Sequence, residues 1–447
     1  MLRQGYVFSI DQDMRMRLRQ SVYIAHVLLL ASGAMTSGAQ RAAHDMSATA
    51  NDTATPPRAH LMLQAIPLVT RAVPSAGGAP GSQAVVSQLV AMLRASLGGG
   101  HAALAATLDG EGVTMPNGEL NTGAYGEGFV DRRHPHTYIH ELMVTGRGVA
   151  GPVAWSATAG RGFAPFGTDD PMMRPIVKFP INHHLAQVLE RATVIGALRT
   201  GPVIFEAGTF GGDEPTQPSS FPRVTRLGDS WSARVTATPL AGVELQASHA
   251  RVASPEETTG VGLDQRKQSV SGRVISSDAG GYLLAEWART VEHDAVRKSD
   301  VFGYESVLAE GAIRFGATGL ALRLERSDRP EEDRLMDAFR TPRPATDLSI
   351  GGITQWTSAT IHLAAPAFRR GPLTGIPFVE GAMLSARARN VLSLITPERL
   401  YGTTRFTMLT AGLRMGFGAA HARMGRYGVA DVGGPSLGGM SASGNHH

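Results

Sequence analysis

The chain has 447 residues, with 42 lysines and arginines against 38 aspartates and glutamates, and no cysteine. That near-balance, without any basic run interleaved with aromatics, gives no case for a nucleic-acid partner, and the missing cysteines exclude disulfides and lipid attachment. Glycine is abundant at 53 residues while aromatics make up only 6%, which suits a large domain of many turns and closely packed strands.

In chain order, residues 14–39 read as a secretory signal peptide. Arg15, Arg17 and Arg19 form a basic start, residues 22–34 an apolar run, and Ser37-Gly38-Ala39 a small-x-small cleavage site. Asp11 and Asp13 are unusual ahead of such a signal, so Met14 or Met16 is the expected start. The apolar run is shorter than the roughly 20 residues a spanning helix needs, which favours export over anchoring. Residues 1–39 carry four arginines and two aspartates, so the exported remainder holds 38 basic against 36 acidic groups. Residues 40–57 are rich in Ala, Thr and Asp and read as a flexible periplasmic lead-in.

Residues 58–417 alternate apolar and polar side chains in short runs separated by glycine-rich turns. The hairpin 230–252 shows the pattern. Trp231, Ala233, Val235 and Ala237 point one way, while Ser232, Arg234, Thr236 and Thr238 point the other; Val243, Leu245 and Ala247 likewise oppose Glu244, Gln246 and Ser248. The expected strands are 58–71, 85–97, 101–109, 136–148, 152–163, 192–200, 203–210 and 230–239. They continue with 243–252, 265–277, 281–292, 304–315, 318–326, 347–363, 378–389 and 403–417. Short turns at 98–100, 149–151, 201–202, 240–242, 278–280 and 316–317 alternate with long connections at 111–135, 164–191, 211–229, 253–264, 293–303, 327–346 and 390–402. The connection 364–377 breaks that rule. An even number of strands, one oily face on each, and short turns alternating with long loops predict an all-β fold, a transmembrane up-and-down antiparallel barrel of about 16 strands. Such a barrel also replaces the stabilisation that disulfides give other exported chains. Val235 and Leu322 are expected toward lipid, Thr236 and Ala321 toward water in the lumen, and the long connections toward the outside.

Charge at mid-membrane must face inward. The expected lumen residues are therefore Arg94, Glu141, Arg147, Arg234, Glu244, Arg273, Glu286, Glu310, Arg314, Arg323, Glu325 and Arg414. Two readings of them stay open: a cross-strand network that fills the barrel, or a charged constriction that selects solutes. With no dominant sign among them, general filtering is favoured over anion or cation specificity.

Histidines supply a second constellation at the expected external rim. His134, His136 and His140 lie in one block, His183 and His184 precede a strand, and Asp213-Glu214 follow another. Imidazole with carboxylate suits zinc, copper or nickel, so a transition metal is the one cofactor the residues allow; the alternative is a set of loop-anchoring hydrogen bonds, and no defined metal spacing is present. Two formal motifs carry no chemistry. The Gly146–Gly151 run precedes a strand rather than the helix a dinucleotide site needs, and Gly434-Pro435-Ser436-Leu437-Gly438 lacks the strand and helix of a nucleophile elbow. No Ser/His pair falls on adjacent lipid-facing strands, which speaks against an enzyme within the barrel.

Four stretches together resemble a family of uncharacterised bacterial outer-membrane porin-like barrels. They are Asp131-Arg132-Arg133-His134-Pro135-His136, Asn182-His183-His184, Phe205-Glu206-Ala207-Gly208-Thr209-Phe210 with Asp213-Glu214-Pro215, and Asp229-Ser230-Trp231-Ser232-Ala233-Arg234. The resemblance covers most of residues 58–417. Relatives often carry Asp directly after His-Pro-His, where this chain has Thr137. It implies a barrel in the outer membrane of a diderm bacterium, with lipid and the barrel-assembly machinery as partners. That machinery reads a terminal aromatic, which Phe417 resembles, although a tail at 418–447 follows it. The expected function is a porin-like channel for small solutes, not an enzyme; the alternative is a metal-binding or metal-passage protein using the rim histidines.

Overall fold

The computed structural model describes residues 58–74, 80–115, 118–120, 136–215, 217–221, 223–257, 259–276, 280–332, 350–391, 396–418 and 423–432. The signal peptide, the lead-in, His134 and the glycine-rich end of the tail lie outside the described residues. The strands are β1 (Arg58–Val73), β2 (Gly81–Leu97), β3 (Ala102–Asp109), β4 (Ile139–Ala150), β5 (Val153–Gly162) and β6 (Arg191–Thr200). They continue with β7 (Val203–Phe210), β8 (Ser230–Leu240), β9 (Val243–Val252), β10 (Asp264–Ile275), β11 (Tyr282–Asp294) and β12 (Ser299–Phe315). The last are β13 (Thr318–Glu332), β14 (Ile350–Ala364), β15 (Phe368–Arg370), β16 (Leu373–Val391) and β17 (Arg405–Gly418).

Each strand pairs antiparallel with its neighbours in sequence, and β17 returns to β1 in a register running from Met62↔Gly418 to Val73↔Thr407. The sheet is therefore closed and has no edge. β14 and β15 both pair with β16 and make one interrupted stave, so the barrel has 16 staves. The expected long connection at 364–377 is corrected here: β16 starts at Leu373 rather than 378, and Phe368–Arg370 folds onto it across a tight Gly371-Pro372 turn. The expected long connection 293–303 is also shorter, because β11 and β12 extend until only residues 295–298 join them.

The alternation places side chains on two faces with opposite character. Outside stand Leu63, Val144, Trp155, Leu198, Phe205, Trp231, Leu245, Ile313, Leu324, Ile361, Val379 and Leu409, all well exposed. Inside, Glu141, Glu206, Arg234, Glu286, Glu310, Arg323 and Glu325 are buried. Soluble proteins rarely expose a continuous apolar belt of this extent, whereas a bilayer requires one. Val235 is 41% and Leu322 47% exposed on that outer face, but Thr236 and Ala321 are each only 1% exposed. The expectation that the latter two meet lumen water is thus corrected: they are packed.

Thr236 is covered by Arg426, from beyond β17, and Ala321 by the connection between β5 and β6. Expected as an outer loop over 164–191, the connection at residues 163–190 instead turns inward and crosses the lumen. This inner segment contributes to a core that touches most of the wall. Met172 and Met173 meet Met62, Val90, Met92, Met143 and Ile195. Ile176 meets Tyr282, Leu284, Leu308 and Ala321, while Val177 meets Ile66, Leu68 and Phe378. Phe166 and Val188 pack on Phe210 and Val252, and Leu185 and Ala186 on Ala288, Tyr304 and Ile353. Each fully buried Met, Ile or Phe contributes roughly 1.5–3 kcal/mol, enough to hold an irregular chain in place. Gly167 makes the turn at its start: φ is +66° there, and a Cβ would strike the Ala186 carbonyl.

Val235→Arg and Leu322→Arg set a cation against lipid and should each cost about 2–4 kcal/mol, read as a lower denaturant midpoint of the folded barrel. Ala321→Arg should also destabilise, by about 1–3 kcal/mol or more, because it overpacks the contact with Ile176; free tolerance there would mean an open lumen. Protease added to the folded barrel should spare residues 163–190, and rapid cleavage within them would contradict their burial.

Candidate functional site

All twelve charged residues expected in the lumen lie on the inward register, but they do not line open water. Four of them, Glu325, Arg323, Arg414 and Arg234, hold the inner segment's backbone, which has little regular structure to satisfy its own polar groups. Glu325 accepts from the amides of Ile181 and Asn182 at 3.0 and 2.6 Å. Glu286 accepts from the Asn182 side-chain amide at 2.7 Å and from the Thr168 hydroxyl. Arg323 donates to the Lys178 carbonyl at 2.6 Å and is braced by Glu310. Arg414 donates to the carbonyls of Arg174 and Pro175, both at 3.0 Å. Arg234 reaches the Gly167 carbonyl at 3.2 Å. Glu380, a residue the sequence reading did not select, accepts from the amides of Val177 and Lys178 and is paired with His362 at 2.8 Å. Arg147 caps the Gly100 carbonyl at the short-turn end of β4, and Arg314 sits half-buried at the same end of β12.

The remaining inward charges, Arg94, Glu141, Glu244 and Arg273, hold a second insert. After β17 the chain turns back, and residues 423–432 lie inside the barrel against β4 to β7. Arg423 donates to Asp169 at 2.8 Å and to both oxygens of Glu244 at 2.7 and 2.8 Å. Arg426 donates to Asp169 and Glu206, each at 3.2 Å, and to Gln246. The Tyr427 hydroxyl donates to Glu141 at 2.8 Å and accepts from the Phe163 amide at 3.0 Å, while Arg94 pairs with Glu141 at 2.9 Å. Arg273 completes the group through Asp169 and Glu244.

The inner segment enters from the mouth with the long connections and the tail from the mouth with the short turns, and they meet at Asp169. Burial alone would raise the pKa of this carboxyl, but Arg423, Arg273 and Arg426 outweigh it and hold it well below the ordinary carboxylate range. The sequence reading missed Asp169, Arg423, Arg426 and Tyr427. For Asp169 the signal was compositional: residues 163–181 carry Phe, Met, Ile and Val at a density odd for a surface loop.

The histidines form a separate cluster at the long-connection end, the expected external rim, where His136, His140 and His183 are all buried. His140, at the start of β4, is hydrogen-bonded through Nδ1 to Glu190 at 2.6 Å, and its Nε2 lies 3.9 Å from Asp170. His136 Nδ1 lies 3.2 Å from Glu111 and 3.4 Å from Asp109. The His136 ring centre is 5.2 Å from that of His140 and 5.8 Å from that of His183. Burial lowers the His136 pKa, yet Asp109 and Glu111 overcome this and hold it well above its ordinary value. Burial, helped by Asp109, lifts Glu111 to about 7, and burial also raises Asp170. Asp213 and Glu214 do not join the cluster; they hold Arg223 and Arg191. Nothing in the described residues bears on His134 or on the His184 side chain.

No protein-family model and no curated protein matches the chain. Among solved structures it is similar to an anion-selective porin from Comamonas acidovorans, at 10% identity over 81% of this chain and 100% of the other, with a TM-score of 0.48. It is also similar to the outer-membrane channel DcaP of Acinetobacter baumannii, at 12% identity over 81% and 97% of the two chains, again with a TM-score of 0.48.

The Asp169 cluster has a defined pH response. A carboxyl whose pKa is depressed in the docked state favours docking fully above its free value near 4, and that contribution is lost as pH falls through the depressed value. Residues 423–432 should therefore resist protease unchanged from pH 8 to about 5 and become cleavable only in stronger acid. Arg426→Ala, which leaves Asp169 and Glu206 short of a partner, should expose the tail already at pH 7, since breaking a buried pair costs about 3–5 kcal/mol.

Proposed function

We propose that the protein is an outer-membrane channel for small solutes, closed by two inserts that plug its lumen from opposite mouths, and that it catalyses no reaction. A closed strand ladder is the one way strands can cross hydrocarbon, and barrels of this kind belong to outer membranes. Lipid would contact the outer belt, and the barrel-assembly machinery would read Phe417, which stands on that belt one residue before the end of β17. The observation that carries the reading is how the inner segment is held. Its backbone is tied to side chains of β2, β8, β13, β16 and β17, which lie around the barrel, by individual hydrogen bonds rather than by strand pairing. Contacts of that kind release one by one, so the insert can shift without opening the ladder. Cations and anions alternate among the groups that would then line the passage, which supports general filtering over selection by sign.

Conductance in planar bilayers tests this. The full chain should give rare or small openings. A chain ending at Gly418 should give openings several-fold larger, and adding Glu325→Gln to that truncated chain should enlarge them further. If all three fold, as judged by heat-dependent gel mobility, and all three stay silent, the inserts are a permanent core and the channel reading is wrong.

A further inference from the structure

We propose that Asp109, His136, His140 and Asp170 bind one divalent transition-metal ion between the barrel wall and the inner segment. Asp109 ends β3 and His140 begins β4, so both belong to the wall, while Asp170 belongs to the insert. One ligand atom from each of Asp109, His136 and His140 lies within 4.8 Å of the others, and all three residues are buried. His140 Nε2 and Asp170 Oδ2 face each other at 3.9 Å, and neither has a hydrogen-bond partner among the described residues. That separation is too long for a hydrogen bond, which would draw the atoms to about 2.8 Å. It is within reach of two metal–ligand bonds of roughly 2.0–2.2 Å meeting at one ion at an angle wider than tetrahedral, and the ligand atoms would draw in on binding.

The surroundings are built for this role. His140 is fixed through Nδ1 by Glu190, which aims its Nε2 lone pair at Asp170. A carboxylate behind a ligating imidazole is the usual support of such a ligand, orienting the ring and raising its basicity. Glu190 is itself placed by the Thr137 amide at 2.9 Å. Asp170 accepts from the Met172 amide through Oδ1, which leaves Oδ2 pointing at the site. Charge argues the same way. Four buried carboxylates, Asp109, Glu111, Asp170 and Glu190, converge here, and among the described residues the one guanidinium within ion-pair distance of any of them is Arg161, 3.9 Å from Glu190. Protons on the imidazoles offset part of that charge when the site is empty; a dication would replace them and offset more, and imidazole with carboxylate oxygen suits zinc, copper or nickel. Loop-anchoring hydrogen bonds would account for the Nδ1 contacts but not for the facing Nε2 and Oδ2.

Zinc is the probe, and metal binding can be read without any conductance measurement, so failure here leaves the channel reading standing. His446 and His447 are first replaced by Ala, because two terminal histidines scavenge metal. The chelator-stripped, folded barrel is then titrated with zinc by calorimetry, and zinc is quantified after desalting. One zinc per chain is expected. His140→Ala and Asp170→Asn should each weaken binding at least tenfold, and Glu190→Gln by roughly 10–100-fold. Asp170→Asn retains the Oδ1 acceptor for Met172, so it and Glu190→Gln decide the matter if His140→Ala fails to fold. No stoichiometric zinc on the parent, or equal affinity in Asp170→Asn and Glu190→Gln, would overturn the proposal.

Discussion

A backbone group or charge turned toward hydrocarbon has nothing to bond to, and each one left so costs several kcal/mol. The chain meets the first half of this constraint by pairing β1 with β17, so that every stave has a partner on both sides. It meets the second by parity, which sends Arg and Glu inward on each stave. Obeying the rule outside creates a problem inside, where guanidinium and carboxylate groups crowd a narrow lumen. The inner segment has the complementary problem, a run of irregular backbone with few internal hydrogen bonds. Each solves the other: Glu325, Glu380 and Glu286 take the segment's N–H groups, and Arg323, Arg414 and Arg234 take its carbonyls. The insert is therefore a consequence of the barrel's charge arrangement as much as of its own apolar residues.

Asp169 links the two inserts into one system. It sits on the inner segment but is neutralised by Arg423 and Arg426 of the tail together with Arg273 of the wall. In a dry network each pair polarises the next, and removing one member leaves the others buried and uncompensated. The tail and the inner segment should then couple, so that loosening either one weakens the other although they enter from opposite mouths.

The barrel was legible because its rule is local. Trp231, Val235 and Leu245 against Arg234, Thr236 and Gln246 show the period of two without any tertiary knowledge, and turns such as Leu240–Val243 mark its ends. The sixteen staves and the inward charges follow from that period alone. The inserts were not legible because nothing periodic announces them. Residues 163–190 have loop composition, with prolines and glycines, and only the density of Phe, Met, Ile and Val hinted that they were bound for a core. The histidine block was visible as a motif but not as a place, since His140, Asp109 and Asp170 come from three elements that meet only once the segment has turned inward. Where the strand period failed, at 364–377, the cause was the short β15 interposed before a tight turn.

The two polar clusters hold the inner segment by different means. Around Asp169, three carboxylates (Asp169, Glu206 and Glu244) face four guanidinia from Arg234, Arg273, Arg423 and Arg426. All of these charges are built into the chain, so that end is compensated under any ordinary condition. Around His140, four carboxylates face two imidazoles and one distant guanidinium, and compensation has to come from protons or from a bound cation. A buried charge without a partner is costly, so the free energy holding the segment at Asp170 and Glu190 varies with what the site holds, while that at Asp169 does not. On the proposed metal site, release of the ion would loosen the segment at Asp170 and Glu190, while the ion pairs of the neighbouring Asp169 would still hold it.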